Sequence, residues 1–261
     1  MPKLRTQRST GTSSSSTTLP YARPCTTTAK SASQPSPPTS DGPPDILRFF
    51  SGSKPVPPGP GPGERVHDPS VYTALAAIPH WRRVLSNFDS TTPFSWRNHQ
   101  WASIEHAFQG AKMGLVNQHA MAAFALDSTR DDRGEFAHIG VQSALVARNS
   151  RKLLVLPPTK VREWGQMSWQ VMEEIAREKY RACELGKQVL RETRGAQLWH
   201  AGPRVAPVRF EHLERIRDEL SVAQDTMEVA VGNEVEDRER RAAEELGHEL
   251  FEPIASESED S

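Results

Sequence analysis

The chain is short of cysteine, of long apolar runs and, at both ends, of large apolar residues, and each shortage removes a class of protein. Only Cys25 and Cys183 occur in 261 residues. Two thiols cannot make a disulfide framework, and no paired Cys/His spacing suggests zinc. That usage fits a reducing intracellular compartment, nuclear or cytoplasmic. No stretch approaches the roughly 18–20 uninterrupted apolar residues of a membrane span. No compact apolar core follows Met1 in the manner of a signal peptide, so no membrane partner is expected. With 36% of residues in the hydrophobic set and 25% charged, the chain is too polar to fold throughout. One domain with disordered ends is the expectation.

Charge is distributed unevenly behind a net of −1. Residues 1–45 hold five Lys/Arg and two Asp/Glu, residues 46–220 hold 24 and 18, and residues 221–261 hold three and 13. A basic middle suits an anionic ligand such as a nucleotide or nucleic acid, although an excess of this size is also ordinary for a domain of that length. Residues 1–45 are Ser/Thr/Pro-rich, with Ser13–Thr18 and Gln34–Pro38 as the plainest tracts. Such a segment buries too little apolar surface to offset its ordering entropy and is read as a disordered tail. Arg5, Arg8 and Arg23 with no acid before Asp41 resemble an organelle transit peptide. No apolar spacing there builds an amphipathic helix, however, and a plain flexible tail is preferred. Residues 221–261 are read as a mostly disordered acidic tail, with a helix conceivable over 234–250.

Between the tails, Ile46–Phe50 reads as a short strand entering the domain. Pro55–Gly63 alternates Pro and Gly, which forbids helix and interrupts a sheet ladder, leaving a surface loop or a ligand-binding rim. From Ser70 to Arg83 the spacing of Tyr72, Leu75, Ile78 and Trp81 is helical. Trp164, Met172, Ile175, Ala176, Tyr180 and Cys183 mark a long helical region, in one piece or two. Thr193-Arg194-Gly195 gives its stop, with Gly195 free for the left-handed cap. Phe210–Leu220 reads as a last amphipathic helix on Phe210, Leu213, Ile216 and Leu220. No internal repeat is visible, and a monomer is expected.

The most informative helix begins after Ser103. At about 100° per residue, with Glu105 as zero, Ile104, Ala107, Ala111 and Leu115 cluster near about 200–280°, the core face. Glu105, Gln109 and Lys112 fall on one polar stripe bordered by Phe108. The stripe rises about 10 Å from Glu105 to Lys112, a span closer to a nucleotide-sized ligand than to a direct salt bridge. His106 lies off the stripe.

Trp81-Arg82-Arg83-Val84-Leu85-Ser86-Asn87-Phe88, followed by Trp101-Ala102-Ser103-Ile104-Glu105-His106-Ala107-Phe108-Gln109-Gly110-Ala111-Lys112, resembles the signature of the NADAR (YbiA-like) family. That signature couples Leu-Ser-Asn-Phe to a helix of the form Trp-x-[Ser/Thr]-[Val/Ile]-Glu-His-x-[Phe/Tyr]-Gln-x-x-Lys. The resemblance extends from Phe49–Lys54 and Glu64 through Phe124–Ser128, Trp164 and Met172 to Leu198–His200 and Arg215–Arg217, about residues 46–220. The chain departs from the pattern at Pro60, where relatives often carry lysine, and at Tyr180-Arg181-Ala182, where Phe-Gln-Asn is common.

The resemblance implies a helix-rich α+β fold: a single catalytic domain over residues 46–220 with a few short strands and disordered termini. It also implies an intracellular enzyme acting on ribose N-glycosides without a cofactor. Family members are linked to removing ADP-ribose from guanine in nucleic acid, and to hydrolysing phosphorylated ribosylamino intermediates of riboflavin synthesis. The expected partner is an ADP-ribose-containing substrate, first of all ADP-ribosylated nucleic acid. The alternatives are a metabolite N-glycosidase and a module that binds ADP-ribose or NAD derivatives without turnover.

Cleaving such a bond develops positive charge on the sugar while the departing base takes a proton. Glu105 is the expected acid, base or electrostatic stabiliser. Lys112 is the second catalytic candidate. A neutral amine there would attack the anomeric carbon and form a Schiff base with the opened sugar, whereas a protonated one would bind a phosphate or carboxylate oxygen. Trp101, Phe88 and Phe108 are candidates for stacking on a base, with core packing as the competing role for Phe88. Asn87 offers donors and acceptors to ribose hydroxyls or, alternatively, a turn cap. Gln109 shares the stripe. Ser51 and Lys54, flanking the Pro/Gly loop, could hold phosphates or simply be solvated.

Overall fold

A computed structural model describes residues 42–128, 139–150, 155–203 and 206–223, with 234, 238, 240 and 241. Most of both tails lies outside the described residues; Glu234, Arg238, Arg240 and Arg241, within the conceivable 234–250 helix, are helical and exposed. The fold is α+β and helix-rich, with two small sheets. Strand β1 (Ile46–Phe49) runs parallel to β4 (Gln197–His200), with Phe49 opposite His200, and β4 pairs antiparallel with β5 (Val208–Arg209). The first and last parts of the domain therefore meet in one sheet, and Leu47, Phe49 and Leu198 are fully buried in it. The second sheet is a hairpin of β2 (Phe94–Trp96) and β3 (His99–Trp101). Its two turn residues, Arg97 and Asn98, have φ of 47° and 62°. Positive φ at both positions matches the right-handed twist of the flanking strands.

The Ser70–Arg83 segment keeps the predicted buried face, Tyr72, Leu75, Ile78 and Trp81, but not as one helix. A 3-10 turn (Pro69–Tyr72) leads into α1 (Thr73–Ala77), and α2 (Trp81–Val84) starts afresh. Pro79 supplies no N–H, Ile78 before it is extended at ψ 115°, and His80 is left-handed at φ 56°. Proline and its predecessor cannot hold the helical ladder.

Helix α3 (Ile104–Gly114) lies at the centre, packed against α4 (Gln118–Ala122), α5 (Ala144–Ser150) and α6 (Pro158–Ala182). The predicted core residues Ile104, Ala107 and Ala111 are buried, and so are Phe108, Gly110 and Met113. The helix is thus covered on nearly all sides rather than lying on a surface. A Cβ at Gly110 would stand 2.8 Å from the Trp101 ring and 3.2 Å from Phe124. Only a glycine allows the indole to approach this closely.

The long helical region does break in two, at Cys183, between α6 and α7 (Glu184–Glu192). Pro157-Pro158 opens α6, where a missing N–H costs nothing. The Cys183 thiol accepts from Gly186 N at 3.3 Å and caps α7. At the end of α7 the left-handed residue is Arg194 (φ 47°) and not Gly195. The chain turns one residue early because the Thr193 hydroxyl donates to Leu190 O at 2.6 Å, and Arg194 N to Arg191 O. The last helix, residues 211–223, buries Leu213 and Ile216 as the spacing predicts. Among the described residues no helix is long and apolar enough to cross a membrane.

Candidate active site

The N-terminal turn of α3 is built from two interlocking bonds. Ser103 is extended (φ −156°, ψ 165°), and its hydroxyl accepts from His106 N. Asn87 O, from the Leu-Ser-Asn-Phe segment, accepts from Glu105 N at 2.9 Å. These bonds satisfy donors that a helix start otherwise leaves orphaned. They also fix Asn87 against Glu105, so the two motif blocks meet at a single point. Glu105 sits in the first turn, where the helix dipole favours a negative group, and is 2% exposed. One carboxylate oxygen, Oε1, accepts from Gln109 Nε2 at 2.9 Å.

Around that carboxylate the hydrogen bonding is incomplete. The carbonyl oxygens of both neighbouring amides, Asn87 Oδ1 and Gln109 Oε1, are buried without a donor. Asn87 Nδ2 has only the Met172 thioether of α6, at 3.5 Å. A buried carbonyl without a donor costs on the order of 1–3 kcal/mol, and these two belong to the residues that bond Glu105, Asn87 through its backbone and Gln109 through its side chain. Lys112 is half-buried in the last turn of the same helix.

The other predicted residues divide. Phe108 is buried and tilts against Trp164 of α6, ring centroids 4.8 Å apart. Phe88 is half-buried, with the Arg148 guanidinium carbon 6.0 Å from its ring centroid. Trp101 requires a correction. It is fully buried, its Nε1 donates to Trp96 O at 2.8 Å, and its ring is wedged over Gly110. No face is left for a base, and the residue serves the core. Ser51 and Lys54 are exposed on the turn after β1, and no described hydrogen bond or ion pair joins them to α3. The anchor in that turn is Ser53, whose hydroxyl accepts from Phe50 N and whose carbonyl accepts from Arg83 Nε. His106 is structural. Its Nε2 donates to Gln142 O at 3.1 Å and its Nδ1 accepts from Ser103 Oγ at 2.8 Å, the neutral tautomer, and burial lowers its pKa.

Sequence reasoning missed a second buried acid. Glu64 accepts from the backbone N–H groups of Arg48, Gly59 and Gly61 and from Arg82 Nε and Nη2. Arg82 in turn donates to Val56 O and Pro57 O. The Pro/Gly loop is therefore pinned, with Gly59 and Gly63 at φ of 106° and 72°. The Gly59 and Gly61 amides are occupied by Glu64 and do not cradle a phosphate. Also missed was Lys179, fully buried and bonded at 2.6 Å to Asp89, which ties α6 to the segment after Phe88. The mixed signs in these segments were the available signal, but nothing local paired them.

An open cavity of about 490 Å3 lies elsewhere, at the β2–β3 hairpin, between Trp96, Arg97, His99, Asp127 and Glu178. Its charges are matched nearby, Arg97 with Glu174 at 3.1 Å and His99 with Asp127 at 3.4 Å. It lacks the buried, donor-starved amides found beside Glu105. Among the described residues no group of three or more His, Cys, Asp or Glu is placed to hold a metal ion.

Fold and site together define an α+β domain with a buried acidic site at the start of its central helix. No family model matches the chain, and no curated protein matches it. Among solved structures it is similar to the NMR structure of the E. coli protein YbiA, at 19% identity, covering 69% of this chain and 86% of that chain with a TM-score of 0.39. A likeness that loose carries no argument about the site.

Proposed function

We propose that the chain is an N-glycosidase that cleaves a ribose N-glycosidic bond, removing ADP-ribose from guanine in nucleic acid. One observation carries this reading. Glu105, in the residue pattern that resembles the NADAR signature, sits buried beside Asn87 and Gln109, each with a carbonyl oxygen lacking a donor. A ribose ring is rich in hydroxyl donors and supplies what those oxygens need. As the glycosidic bond breaks, positive charge grows on the sugar. A carboxylate held in a water-poor site stabilises such charge without having to reorganise. Gln109 holds the carboxylate by its Nε2, so its role is positioning. Lys112, about 10 Å along the helix, either forms a Schiff base with the opened sugar or binds an anionic oxygen of the ligand.

The test is a substrate panel of ADP-ribosylated guanine oligonucleotide, ADP-ribosylated protein and ribosylamino phosphate, run with the full chain and with Glu105→Gln. Release of ADP-ribose from the oligonucleotide, lost in the variant, supports the reading. Cleavage of the ribosylamino phosphate alone replaces it with a metabolite N-glycosidase, and bound ADP-ribose with every glycoside intact replaces it with a binding module. Borohydride trapping separates the two roles of Lys112, since a covalent adduct forms only if the amine is the nucleophile.

A further inference from the structure

Arg148 is the charge beside this site that the reading above leaves unused. It lies half-buried in the last turn of α5, which packs on α3. Arg82 has Glu64, Arg209 has Glu214 and Arg217 has Ala196 O, whereas half-buried Arg191 keeps a buried Nε without a hydrogen-bond partner. Among the described residues no carboxylate pairs with Arg148. Its nearest described companions are neutral. One is the Phe88 ring, 6.0 Å away. The other is His200, which stacks on Phe210 with centroids 5.3 Å apart and planes 16° from parallel. Burial first, and the Arg148 charge second, push the His200 pKa down to about 4, so the imidazole adds no charge.

Phe88 follows Asn87, whose carbonyl holds the Glu105 amide. Arg148 therefore lies by the residue that follows Asn87, and no carboxylate among the described residues pairs with it. A half-buried guanidinium loses hydration, and its planar fork of donors matches phosphate oxygens two at a time. We propose that Arg148, beside the Phe88 ring, is the phosphate-binding arm of the Glu105 site and takes a phosphate or diphosphate group of the ligand. This inference rests on the reading of Asn87 and Glu105 as a ligand site.

The experiment titrates inorganic pyrophosphate into the full chain by calorimetry at low salt. Arg148→Gln is expected to weaken binding by about tenfold or more, and Arg148→Lys, which keeps the charge but not the fork, by less. Arg162→Gln, which removes a cation from an exposed position on α6, controls for net charge and is expected to stay within about twofold. Equal affinity in wild type and Arg148→Gln, with Arg148→Gln folded by its thermal melt, overturns the proposal. Parallel titrations with ADP and with an unmodified single-stranded oligonucleotide identify the source of the phosphate, since the one that loses affinity in Arg148→Gln is the one bound. Loss with neither overturns the proposal too. Failure of the glycosidase reading shows instead as intact substrates in the panel above, so the two failures are distinguishable.

Discussion

Glu64 and Glu105 are both buried glutamates in the part of the chain before α4, and their surroundings differ. Glu64 gathers three backbone amides and two guanidinium donors, all from this chain, and locks a Pro/Gly loop with them. Glu105 Oε1 accepts from Gln109 Nε2, and the side-chain oxygens of Gln109 and of Asn87, whose backbone holds the Glu105 amide, have no donor among the described residues. A buried acid thus does not by itself mark a functional site. The neighbourhoods separate the two, since five donors pin Glu64 to its loop, while buried amide oxygens without described donors belong to the residues bonded to Glu105 and are what the proposed function rests on.

Substitution at each glutamate should separate these roles. Glu105→Gln is expected to lower turnover of the cleaved glycoside by about 10²–10⁴-fold, with a melting temperature close to wild type. A large stability loss with normal turnover per folded molecule would make Glu105 a pin like Glu64. Arg82→Met is the converse. It leaves Glu64 buried without its cation and is expected to cost about 3–5 kcal/mol in denaturant unfolding, with turnover retained by the folded fraction. The double variant Glu64→Gln/Arg82→Met should recover part of that loss, because no charge is then stranded.

How far the sequence announced this contrast depended on whether the partners are local. Helix α3 was legible because its residues lie in one run of helical spacing, and the proposed site is read from that run with the Leu-Ser-Asn-Phe block close before it. β1, the α6–α7 region and helix 211–223 were legible for the same reason, since one periodicity covers each. The Glu64–Arg82 pair spans 18 residues and the Asp89–Lys179 pair 90, and neither periodicity nor propensity reports a partner at that separation. Trp101 looked like a stacking platform because a motif tryptophan reads the same whether it faces a ligand or the core. Gly110, the small residue that makes room for it, was the overlooked signal. The left-handed turn fell on Arg194 instead of Gly195 because local hydrogen bonding outweighed the glycine preference.

Acid sensitivity probes a third kind of burial. His212 is buried and His200 half-buried, and desolvation holds their pKa values at about 3 and about 4, against 6.5 for the free side chain. Below pH 6.5 the unfolded chain takes up protons that the folded chain refuses, so folding weakens as pH falls. The loss continues down to about 4 for His200 and about 3 for His212. Each contributes at most about 1.4 kcal/mol per pH unit within its window. Urea midpoints measured from pH 7 to pH 4.5 should fall steadily, and a flat profile would contradict the burial of both rings.

His212 also tests whether an orphaned polar atom is enough to mark a site. Neither ring nitrogen has a hydrogen-bond partner, yet its surroundings are the rings of Phe210 at 4.8 Å and Trp169 at 5.9 Å, with no acid bonded to it. Glu173 acts on the His212 charge without bonding to the ring, and the ring is packed among aromatic side chains, so this orphan is read as a tolerated cost of packing. His212→Phe keeps the ring and removes the desolvated nitrogens. It is expected to raise stability by about 1 kcal/mol and to flatten the acid dependence, with glycoside turnover unchanged. If turnover fell with the fold intact, the donor-starved imidazole would belong to the ligand site after all, and the contrast drawn from Asn87 and Gln109 would have to include it.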